Sequence, residues 1–172
     1  GFVVLSSTYF IQALALLMFA VPIQFDNITT TCVWAGLGLV MMLLAKKWNN
    51  VLLLVMPIVA MGAAVIHFLG YELQYDPVMF ETCWEIAGVT ITNALVLAGG
   101  LGLGMIAIAT IMLSAKPVKD RHLEDSLGLG FIYVAVLLFC IRCILELPPT
   151  PATWCILVSA IIIIVLGLIL RM

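Results

Sequence analysis

Arg142 and Glu146 stand four residues apart inside an apolar run, a spacing that places both side chains on one helix face. Ionisable groups among apolar residues are costly to bury, so this pair is the first candidate for chemistry. Two readings apply. In the plainer one Arg142 makes a local ion pair with Glu146 and its stem snorkels toward water. In the sharper one Arg142 points inward, as an anion site or an interhelical anchor. His67 and Asn93 occupy comparable depths in two successive apolar runs and could face one polar spot. A histidine can bind metal or relay protons. The other histidine, His122, lies in a charged loop, so the two cannot form an axial pair. An interhelical hydrogen bond is the plainer role for His67 and Asn93. Gln12, near the middle of the first apolar run, completes a candidate intramembrane polar set of Gln12, His67, Asn93, Arg142 and Glu146.

Other patterns carry less chemistry. Cys140 and Cys143 form a C-x-x-C, but they lie within an apolar run and no second Cys or His pair matches them. They read as two small apolar residues on a helix. Gly99, Gly100, Gly102 and Gly104 mimic a nucleotide-binding loop, yet no strand precedes them. Gly100 and Gly104 instead make a G-x-x-x-G surface that admits a second helix closely, with Gly36 and Gly38 as the complementary side. A helix break at Gly99-Gly100 is the functional variant of that reading. Asn27-Ile28-Thr29 matches a glycosylation sequon. Nothing resembles a Ser-His-Asp set, a zinc-binding H-E-x-x-H or a phosphate loop. No residue is singled out as catalytic, cofactor-binding or metal-ligating.

These residues sit in an unusually apolar chain. Hydrophobic residues make up 65% of the 172 and charged ones 9%, with a mean hydropathy of +1.29. A soluble domain carries roughly 25% charged residues. The excess apolar surface calls for lipid, which implies an all-α, polytopic transmembrane helical bundle. About six spans are expected in one helical domain, over residues 2–23, 32–47, 51–73, 86–115, 127–147 and 153–170. Pro22 falls near the end of the first span. Pro57, in the first third of the third, should kink it. The fourth is long for one crossing. Pro148, Pro149 and Pro151 stop the fifth.

The loops alternate in charge. Lys46 and Lys47 follow the second span, Lys116, Lys119 and Arg121 the fourth, and Arg171 the sixth. The odd-numbered connections carry Asp26, Glu72, Asp76, Glu81, Glu85 and Glu146 instead. Cytoplasmic loops are enriched in Lys and Arg, so both termini are expected in the cytoplasm. Trp34, Trp84 and Trp154 fall at outer span ends and Trp48 at an inner one, as membrane-interface aromatics do. Residues 15–34 also align on 135–154 without a gap, matching Phe19 to Phe139 and Trp34 to Trp154. A repeated out-and-back helical hairpin and a chance match of apolar residues both fit.

The stretch L-L-M-F-A-V-P-I-Q-F-D-N-I-T-T-T-C-V-W-A-G-L-G-L, residues 16–39, resembles part of domain-of-unknown-function family 2339, a family of large polytopic bacterial membrane proteins. In that family a helix ending A-V-P-I/L precedes a short polar loop and a helix opening with Trp-Ala. The matching positions are Ala20, Val21, Pro22, Ile23, Trp34 and Ala35. The later T-x-x-N-A-L-V-L, with Asn93, is similar to the start of another family helix, although Ala94 and Leu95 replace the Arg and Phe common there. The helix from Trp154 toward Arg171 is similar to a repeated family element. The resemblance implies a bacterial inner-membrane location and an architecture, but no activity.

Loops this short leave no room for a soluble catalytic domain, and the net charge of −2 with no basic patch argues against nucleic acid. The expectation is a non-enzymatic structural or assembly subunit of a membrane complex. Its partners would be the lipid bilayer and other membrane subunits, or further copies of itself. The rival is a small transporter or channel with a pathway near Gln12, His67, Asn93 and Arg142.

Overall fold

The structure is a computed structural model that describes residues 2–24, 27–72, 77–86, 88–114 and 121–171. Asp26, Asp76, Lys116 and Lys119, used above to orient the chain, lie outside these residues. The architecture is helical: α1 (Phe2–Gln24), α2 (Asn27–Trp48), α3 (Val51–His67), α4 (Asn93–Ser114), α5 (Arg121–Glu146) and α6 (Pro149–Arg171). Stretches of α2 to α5 are long and apolar enough to cross a membrane: Ile28–Trp48, Leu53–Gly70, Asn93–Ser114 and His122–Glu146. The described apolar stretches of α1 and α6 are shorter, Ala15–Gln24 and Pro149–Val165.

Local chemistry explains several boundaries. Lys46 and Lys47 occupy the last turn of α2, where cations complement the helix dipole. Asn49 then turns left-handed (φ 49°). Asn50 N–H donates to the Ala45 carbonyl and Asn49 N–H to that of Lys46, at 3.1 and 3.4 Å. These two bonds satisfy carbonyls that the helix end would otherwise orphan. Pro57 lies inside α3, where it leaves the Leu53 carbonyl without its usual helical donor. Directly after His67 the chain continues as a π-helical turn, Phe68–Glu72.

The fourth span is shorter than the sequence suggests. A span beginning at residue 86 is replaced by a β-hairpin, β1 (Thr82–Ile86) and β2 (Val89–Thr92), and α4 starts only at Asn93. Val89-Thr90-Ile91-Thr92 is β-branched throughout and favours a strand. Gly88 supplies the positive φ (77°) that a two-residue hairpin loop requires between paired Ile86 and Val89. A bulge between Thr82 and Trp84 interrupts the antiparallel register. What remains is a helix of 22 residues, an ordinary length for one crossing. Helix α2 begins five residues before the span expected at 32, and α5 six residues before that expected at 127.

The chain divides into two compact units. The first contains α1 to α3, and its main pairing is α2 on α3. Met42, Ala45, Leu53, Ala60, Met61 and Ala64 are buried there. The second contains the hairpin and α4 to α6. Half of α4 is buried, including Ala94, Ala98, Leu101, Met105 and Ile108.

Candidate functional site

Arg142 and Glu146 form an ion pair along α5, and their side chains are only 8% and 9% exposed. Arg142 is therefore enclosed by protein rather than extended to water. The second carboxylate oxygen of Glu146 accepts a hydrogen bond from the Thr92 hydroxyl. Thr92 ends β2 and immediately precedes α4, and its hydroxyl also accepts from the Leu95 backbone N–H at 3.3 Å. This is an N-cap bond, which satisfies one orphan donor of the helix start. One carboxylate thus ties the end of α5 to the hairpin and to the first turn of α4. Arg142 Nε has no hydrogen-bond partner among the described residues. The arrangement holds a fixed cation, neutralised on one side by Glu146.

Asn93 stands at the first position of α4, not at depth within a span. Its side-chain amide donates to the Val78 carbonyl at 2.8 Å, and its backbone N–H donates to the Glu81 carbonyl at 3.2 Å. These bonds anchor the segment before the hairpin. The reason for the displacement is the strand-forming run 89–92, which occupies the first turns of the expected span.

His67 belongs to the first unit. Its Nδ1 lies 3.0 Å from the hydroxyl of Thr31, and its ring meets Trp34 edge-on at 5.5 Å. Trp34 Nε1 in turn donates to the Met18 carbonyl at 3.1 Å, linking α2 to α1. Thr31 is fully buried although the sequence places it in a polar loop. The overlooked signal is the spacing of Thr31 and Trp34, three apart on one helix face. Gln12 is exposed on α1, in the same unit as His67.

The glycines separate by surroundings. A Cβ built on Gly38 would lie 3.5 Å from the Pro57 carbonyl oxygen and 3.6 Å from Met61 N, so α2 approaches the α3 backbone there. Gly36 and Gly100 face open space, and Gly104 is buried. Close approaches also occur at two glycines outside the candidate set. A Cβ on Gly102 would lie 3.5 Å from the Ala135 carbonyl oxygen, and one on Gly128 only 3.1 Å from Leu113 Cγ.

In the second unit, α4, α5 and α6 enclose an apolar groove of about 430 Å³. Gly99, Gly102 and Ala135 line it together with the larger Phe139, Trp154 and Cys155. Beside it Leu95, Cys143, Leu147 and Ala152 form a small buried cluster, against which Phe139 and Cys155 pack. Among the described residues no three His, Cys, Asp or Glu side chains gather as a metal site. No protein-family model, curated protein or solved structure matches this chain.

Proposed function

We propose that this chain is a six-span integral membrane protein of the bacterial inner membrane, with both termini cytoplasmic. In this reading it serves a membrane complex as a non-enzymatic structural or assembly subunit. The observation that carries the reading is the use made of the buried charge. Glu146 joins Arg142 and Thr92 in one clamp across α5, β2 and the start of α4, so the costliest residues have an architectural task. Open glycine surface supports docking. Gly36 and Gly100 lie on apolar helices with space above them, where another helix can approach closely. The likeness to domain-of-unknown-function family 2339 agrees with the location and adds no activity.

The test is purification from native membranes in mild detergent, followed by mass spectrometry of what stays attached. Stoichiometric membrane partners, or a defined homo-oligomer, would support the proposal. A monomer that emerges alone would count against it.

A second reading is a small transporter or channel using Gln12, His67, Asn93 and Arg142. Its support is the π-helical turn after His67, because such turns are frequent at functional sites. Solute flux in proteoliposomes that is lost on replacing His67 or Arg142 would favour it.

A further inference from the structure

Trp84 is expected from the sequence at the end of a span, and it stands on β1 instead. Across the hairpin Trp84 pairs with Ile91, Glu85 with Thr90, and Ile86 with Val89. Cross-strand partners share a face, and successive residues alternate between faces. Trp84, Ile86, Val89 and Ile91 therefore make one wholly apolar face, and Glu85 and Thr90 belong to the other. The apolar face is covered on one strand only. Val89 and Ile91 pack against Leu95, Cys143, Leu147 and Ala152. Trp84 and Ile86, on the neighbouring strand, stay 58% and 59% exposed.

The same packing fixes the depth of this face. Leu95 lies in the first turn of α4, Cys143 in the last turn of α5, Leu147 directly after it, and Ala152 in the first turn of α6. The stretches long and apolar enough to cross a membrane begin at Asn93 in α4 and end at Glu146 in α5. The hairpin is thus seated where α4 and α5 reach the membrane boundary, the layer that indole rings favour. Charge selects the kind of headgroup. Glu81 and Glu85 are exposed beside the apolar face, and no Lys or Arg occurs between Lys47 and Lys116. An acidic rim attracts the ammonium group of a zwitterionic lipid and repels an anionic headgroup.

We propose that the hairpin of β1 and β2 is an interfacial membrane-binding element, whose exposed Trp84 and Ile86 enter the headgroup boundary of a zwitterionic phospholipid layer. Glu85 and Thr90, on the opposite face, turn toward the headgroups and water. Lipid completes the apolar cover that the helices provide only for Val89 and Ile91. A two-stranded hairpin, marginal alone in water, gains a second support in this way. The inference rests on the membrane location proposed above and is independent of the subunit role.

The experiment reconstitutes the full chain, with its five cysteines replaced by alanine, in phosphatidylcholine vesicles. Single spin labels are attached through Leu103→Cys, Ile86→Cys and Thr90→Cys. Collisions with oxygen, which concentrates in lipid, and with a water-soluble nickel chelate report the surroundings of each label. Leu103, 70% exposed near the middle of α4, tests the span itself. Oxygen should dominate at positions 103 and 86, and nickel at position 90. Nickel access at 103 would defeat the membrane reading. Oxygen at 103 with equal nickel access at 86 and 90 would overturn the hairpin proposal alone. Protection of 86 from both reagents would also overturn it, because a second copy or a partner protein would then cover the face. Should the cysteine-free chain fail to fold, the native chain and Trp84→Phe are compared in phosphatidylcholine brominated near the headgroup end of its acyl chains. Most of the Trp84 share of the emission should be lost there, and less of it in brominated phosphatidylglycerol. Unquenched Trp84 emission would overturn the proposal, and equal quenching in the two lipids would overturn its choice of headgroup.

Discussion

Replacing Glu146 by leucine tests whether the buried ion pair is the clamp described above. The substitution leaves the Arg142 guanidinium in a site where its side chain is only 8% exposed. Breaking one side of a buried pair costs about 3–5 kcal/mol, because the surviving charge is uncompensated. The Thr92 hydroxyl also loses its acceptor, adding roughly 0.5–1.5 kcal/mol for that hydrogen bond. The single variant should therefore lose about 4–6 kcal/mol. Arg142→Met should lose about 3–5 kcal/mol by the same reasoning. The double variant has no charge left to strand, and apolar replacement of a buried pair is often neutral or stabilising. It should unfold within about 1 kcal/mol of the parent once Thr92 finds another acceptor. Equilibrium unfolding in detergent micelles, followed by far-ultraviolet circular dichroism, measures all four proteins. A double variant whose loss equals the sum of the two single losses would refute the reasoning, since additivity means that the residues act independently.

The glycines give a contrasting pair. Gly128→Ala puts a Cβ about 3.1 Å from Leu113 Cγ and should lower the melting temperature, whereas Gly100→Ala enters open space. The latter should gain about 0.5–1 kcal/mol of helix stability, visible in the same unfolding assay. Gly100→Leu should leave the isolated fold intact yet reduce co-purification of membrane partners; undiminished co-purification would remove Gly100 from the docking surface. At the other site, Thr31→Val deletes the hydroxyl that meets His67 at 3.0 Å. About 1 kcal/mol should be lost. The His67 side-chain resonances should shift in selectively labelled protein, and an unshifted spectrum would mean that the contact is absent in solution.

Long apolar runs bounded by turn residues located the six α-helices of the described residues, because such runs speak plainly about membranes. The pairing of Arg142 with Glu146 was legible for a similar reason: it is local, four residues apart on one helix. Thr92 was not legible as their third member. It lies 54 positions from Glu146, and no local rule couples a residue before one helix to the end of another. The hairpin was hidden by hydropathy itself. Val89 and Ile91 extend an apolar run as well as any helical residues do, so the window absorbed them into α4. Their β-branching and the adjacent Ala87-Gly88 held the contrary signal.

The hairpin supplies the reason to keep a charged clamp where an apolar contact would serve stability equally well. Two short strands are marginal alone in water, and β1 is largely exposed. Apolar packing is non-directional and would let the hairpin settle in several orientations. A carboxylate that accepts from Thr92 fixes the last residue of β2 and the N-cap of α4 together. The double variant Arg142→Met with Glu146→Leu should therefore separate global stability from local order. Its helices should unfold near the parental midpoint, while amide hydrogen exchange across residues 82–92 should become at least tenfold faster, reflecting about 1.4 kcal/mol of lost local protection. Parental exchange rates in the hairpin would show that packing alone orients it, and the clamp would then have no architectural task.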